Sequence, residues 1–282
     1  MMHHSSTALV LAPLLTSPRG LCWLSADRPQ RWHVEVPRTF EGMAEQASRS
    51  VLAAARAHSE LLVEARTPEF DPDGDYYRPA ELVRFAEAIA QPLLTSARAP
   101  RVRLLFPSPA EAMPARAMLA ANLQVGVLGE PVAGGDSAWI CLTPPSDGSA
   151  LTRLVDEANG RLVIVLNAQT QADNSSDEAN AAMSLNAALL ATFERAYVMR
   201  QLSVAFLQEQ LARKITRRRA CILRCYPHEF GVLLHTEEEA AQAWRYAGAF
   251  SSAPREEQLQ ALLQDSLTRE RNERWKRAGE SQ

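Results

Sequence analysis

Five consecutive apolar residues, Leu162-Val163-Ile164-Val165-Leu166, constrain this chain more than any other feature. A strand with one wet face alternates polar and apolar side chains. An unbroken run reads as a strand buried on both faces, as in the centre of a parallel sheet. Parallel strands must be joined by crossovers, so helices have to cover both faces.

The rest of the chain supplies such crossovers. Thr39 is a fair N-cap for a helix over 40–58, with Phe40, Met43, Ala47, Val51 and Ala54 on one face. Leu61-Leu62-Val63-Glu64-Ala65 reads as a short buried strand, and Asp71–Asp75 as a loop. Pro79 opens a second helix, which Pro92 should end or kink. After the strand Val102–Phe106, Ser108-Pro109-Ala110-Glu111 forms a capping-box pattern, and Met113, Ala117 and Leu123 continue the apolar stripe. Val125–Leu128 and Trp139–Leu142 are short strands. Ser149 can cap a helix that Asn159-Gly160 ends. Residues 184–193 look helical, and Tyr197–Phe206 suits strand or helix. Ala220–Tyr226 and Phe230–Leu234 read as paired strands about Pro227, and helices are expected over 237–247 and 255–277. The order predicts an α/β fold: a three-layer, mostly parallel sheet with helices on both faces and an antiparallel extension. We expect a single α/β domain over 34–250, followed by a charged helix and tail over 251–282.

The first acid is Asp27, and the preceding residues are rich in Ser and Thr with Arg19 among them. Such a start resembles an organelle transit peptide, so residues 1–33 read as a transit peptide or a disordered tail. Four cysteines in 282 residues are too few for a disulfide scaffold, and no apolar run is long enough for a transmembrane helix.

The common catalytic signatures are missing. The chain lacks G-x-G-x-x-G, G-x-x-x-x-G-K-[ST], G-x-S-x-G and H-E-x-x-H, and its only lysines are Lys214 and Lys276. The best phosphate-binding turn, Ser108–Glu111, places a proline and a carboxylate where an anion needs free N–H groups. Cys221, Cys225, His228 and His235 have zinc-ligand chemistry, but C-x3-C-x2-H-x6-H matches no standard finger. Core thiols and surface histidines are the simpler reading. No catalytic set, metal or cofactor is implied.

Ligands in such sheets bind beyond the carboxyl ends of the parallel strands. Glu64 and Asn167 lie there, and with Tyr226 they are the ligand-binding candidates. For Asn167 a local Asx turn is the favoured alternative. The clearest surface feature is basic. Residues 195–228 hold eight Arg and Lys against Glu209 alone, a charge of +7 that leaves −10 for the rest of a chain of net charge −3. Its densest part is Arg213, Lys214, Arg217, Arg218 and Arg219. Such a face suits anionic lipid or an acidic protein, or is a solvated face countered by nearby Glu. The lack of interleaved aromatics makes nucleic acid an improbable partner.

A succession of short motifs then suggests a family: Val36-Pro37-Arg38-Thr39, Leu61–Glu64, Val102–Pro107, Leu162–Asn167, Phe193–Tyr197 and Leu223-Arg224-Cys225-Tyr226-Pro227. It resembles the plastid and cyanobacterial domain of unknown function that includes the low-photosystem-II-accumulation assembly factors and is similar to the tail of a plastid adenylate kinase. The resemblance implies a non-catalytic chloroplast protein, stromal or thylakoid-associated. Its partners would be photosystem II assembly intermediates or other plastid proteins. It carries over no catalytic residues. The competing expectation is a small-ligand or nucleotide-related enzyme using the strand ends near Glu64 and Asn167.

Overall fold

The computed structural model describes residues 34–280 apart from 73, 97–98, 133, 146–147, 169–186, 208–214 and 236–243; side chains at 203–207, 215–218, 271, 274 and 277–280 are likewise outside the description. Nine strands form one sheet. In chain order they are β1 (Glu60–Arg66), β2 (Val102–Phe106), β3 (Gln124–Val127), β4 (Ala138–Leu142), β5 (Leu162–Leu166), β6 (Glu194–Leu207), β7 (Ile215–Cys225), β8 (Phe230–His235) and β9 (Trp244–Phe250). Their order across the sheet is β3-β2-β4-β5-β1-β6-β7-β8-β9. Neighbours from β3 to β6 pair in parallel, and those from β6 to β9 pair antiparallel.

The Leu162–Leu166 run is β5. All five residues are buried, with β4 on one side and β1 on the other. Its alternate residues serve two cores. Val163 and Val165 join Trp139, Cys141, Leu62 and Leu105 beneath α4 (Ser149–Ala158), which contributes Leu151, Leu154 and Ala158. The opposite face lies under α1 (Phe40–Ala54) and α2 (Pro79–Thr95). There Phe40, Phe70 and Phe85 meet with ring centroids 5.2–6.3 Å apart. The antiparallel strands make a separate core with α5 (Glu256–Glu280), in which Leu263 is buried against Ala220, Val232 and Leu234. Residues Val34–Gln282 form one compact unit.

Some local expectations hold and others meet a physical correction. Thr39 caps α1 by accepting from the Gly42 N–H at 3.1 Å. Ser108 stands at the N-cap of α3 (Pro109–Met118) with Pro109 opening the helix, as expected, but its hydroxyl donates to the Glu111 carboxylate at 2.9 Å and makes no capping bond, so the pattern forms a side-chain pair and no capping box. Gly148, in a left-handed conformation, stands at the N-cap of α4 where Ser149 was expected. Residues 197–206 are strand, paired along β7. The helix expected over 237–247 is corrected too: Trp244–Phe250 is the edge strand β9, held by β8, while 236–243 lie outside the described residues.

The expected stripe of α3 is inverted. Ala112 and Ala115 face the sheet, and Met113 stands 70% exposed. Beta-strand packing explains this choice: α3 sits close over β2 and the short edge strand β3, where small side chains fit and a methionine would hold the helix off.

Candidate functional site at the carboxyl ends of the parallel strands

After β2 the chain turns outward, through α3 to β3. After β4 it turns the other way, through α4 to β5. Strand order therefore reverses between β2 and β4, the place where doubly wound sheets open a ligand crevice. Around it, the strand ends are closed by backbone and side-chain bonds to the protein itself.

Asn167 is the centre of that closure. It follows β5 in a left-handed conformation (φ 50°) and is 2% exposed. Asparagine tolerates this region better than most residues. Its backbone N–H donates to the Val63 carbonyl at 2.9 Å. Its side-chain Oδ1 accepts from the Ala65 N–H at 2.7 Å, and Nδ2 donates to the Ala65 carbonyl at 3.1 Å. The carboxamide thus behaves as one more peptide group, extending the β5–β1 ladder past the end of β5. The expected local Asx turn gives way to a partner 102 residues away in sequence. Both side-chain polar atoms are engaged with protein.

Glu64 lies on the next residue of β1 and is flanked by two cations. Arg66 approaches its carboxylate to 3.8 Å and Arg195 to 4.0 Å. Arg66 also donates to the Ala168 carbonyl at 2.7 Å, tying the loop after β5 to the end of β1. Glu64 and Asn167 are therefore brought together, one residue apart along the same pair of strand ends. Tyr226 is not. Its strand runs antiparallel, which carries it to the amino end of β1. There its N–H donates to the Ala196 carbonyl at 2.9 Å, and its hydroxyl sits 3.5 Å from Nε2 of His58. The Tyr226–Pro227 peptide is cis.

One residue at the crevice escaped the sequence reading. Thr143, which follows β4, is 3% exposed and has φ 40°. A β-branched residue rarely adopts this conformation, because its Cβ substituents crowd the backbone. Its N–H donates to the Leu166 carbonyl at 2.8 Å. Thr143 and Asn167 thus form a stepped clasp across β4, β5 and β1. The Pro144-Pro145 dipeptide that follows cannot continue a strand, but it does not encode the left-handed turn.

The basic surface is only partly described. Arg213 and Lys214 lie outside the described residues, as do the side chains of Arg217 and Arg218. Arg219 is exposed, 3.4 Å from Nε2 of His235. Two further members are neutralised within the fold: Arg195 faces Glu64, and Arg224 donates to Glu194 at 2.5 Å while stacking over Phe230. Cys221 and Cys225 are buried on β7, and no cluster of metal-ligating side chains occurs among the described residues. Burial pushes the Cys221 thiol up to about 12 and that of Cys225 to about 11; it also raises Cys141. All three are protonated at neutral pH and behave as small core side chains. No helix among the described residues is long and apolar enough to cross a membrane.

This architecture defines an α/β protein whose doubly wound parallel half is fused edge-to-edge with an antiparallel meander. The family is shown by a match over residues 37–261 to the model described as Domain of unknown function (DUF1995), and the chain belongs to that family. No curated protein and no solved structure matches it significantly.

Proposed function

We propose that this chain acts by contact, as a non-catalytic chloroplast factor that assists assembly of photosystem II or a related membrane complex. The observation that carries this reading is the engagement of the strand-end polar groups: the Asn167 carboxamide is closed on Ala65, and Glu64 sits between Arg66 and Arg195. Side chains held in this way stabilise a scaffold and offer a substrate little free hydrogen-bonding capacity. The plastid address rests on the acid-poor start and on the resemblance to the low-photosystem-II-accumulation factors. The link to the tail of a plastid adenylate kinase belongs to the same resemblance.

Contact with the thylakoid surface or with assembly intermediates is tested by co-sedimenting the purified chain with thylakoids at low and high salt, with cross-linking to photosystem II subunits. Retention and specific cross-links support the reading. Absence of both refutes it. A competing reading, a small-ligand enzyme or binder at the strand ends, draws on the strained Thr143, since such strain concentrates at functional sites. A thermal-shift screen with nucleotides and sugar phosphates separates the two, because a bound ligand must raise the midpoint.

A further inference from the structure

We draw no further inference here: the strongest candidate, the largely apolar cavity of about 310 Å³ between the carboxyl ends of α1 and α2, has both of its hydroxyls, Thr95 and Ser96, already donated to helix carbonyls, and nothing in the structure shows what covers it.

Discussion

Replacing Asn167 with alanine should be among the most damaging single changes to this fold. The side chain satisfies both backbone groups of Ala65, which is fully buried. Truncation leaves the Ala65 N–H unpaired where water does not reach, while the carbonyl keeps the Thr67 N–H at 3.1 Å. The orphaned N–H costs roughly 1–3 kcal/mol. Alanine in the left-handed region adds about 1–2 kcal/mol. The expected loss is therefore at least about 2 kcal/mol, a substantial part of the roughly 5–15 kcal/mol typical of a domain. At roughly 2–4 °C per kcal/mol for a domain of this size, the thermal midpoint should fall by at least about 4 °C. Urea unfolding followed by circular dichroism measures the loss directly. Asn167→Gly serves as the partner experiment: glycine accepts φ 50° without strain yet still lacks the carboxamide. It should recover only the backbone contribution. A loss below about 1 kcal/mol in the alanine variant, or full recovery with glycine, would refute the idea that the carboxamide locks β5 to β1.

Further expectations concern other parts of the molecule. Arg103 donates to the buried carboxylate of Asp136 at 2.6 Å; Arg103→Met should cost about 3–5 kcal/mol in urea titration, because it strands a buried charge. Ellman's reagent should titrate no more than one of the four cysteines in the native chain and all of them in urea, since Cys141, Cys221 and Cys225 are buried. Burial raises Cys221 to about 12 and Cys225 to about 11, whereas unfolded thiols ionise near about 8.5. In alkali these thiols hold more protons in the folded chain than in the unfolded one, so their contribution is constant below about pH 8 and is lost as pH rises toward 11. Urea midpoints measured across that range should decline, and less steeply in Cys225→Ala. Met113→Asp, at an exposed position, should shift stability by no more than about 0.5 kcal/mol in the same titration.

The parallel half was legible wherever burial on both faces leaves a continuous apolar run, as in β1, β2, β4 and β5. β6 was ambiguous because Tyr197–Phe206 carries both periodicities, and only pairing with β7 decides between them. β9 was misread because the Glu- and Ala-rich residues before it favour helix; hydrogen bonding to β8 overrides that local preference. On α3 the pattern pointed to the face of Met113 and Ala117, and the close approach of the sheet selected Ala112 and Ala115 instead. At the strand ends, the chemistry of Asn167 and Glu64 was visible in their position. Their partners were not, since Ala65 and Arg195 are brought near only by the fold. Thr143 carried no legible signal beyond the prolines that follow it.

Sheet order also governs how this polypeptide leaves the ribosome. β1 pairs with β5 and β6, strands that follow it by about a hundred residues or more. Its backbone edges must therefore wait until most of the chain has been synthesised, whereas β6 to β9 each pair with a sequence neighbour soon after it emerges. During translation the nascent amino-terminal half thus carries unpaired strand edges open to mispairing, a hazard the finished sheet no longer has.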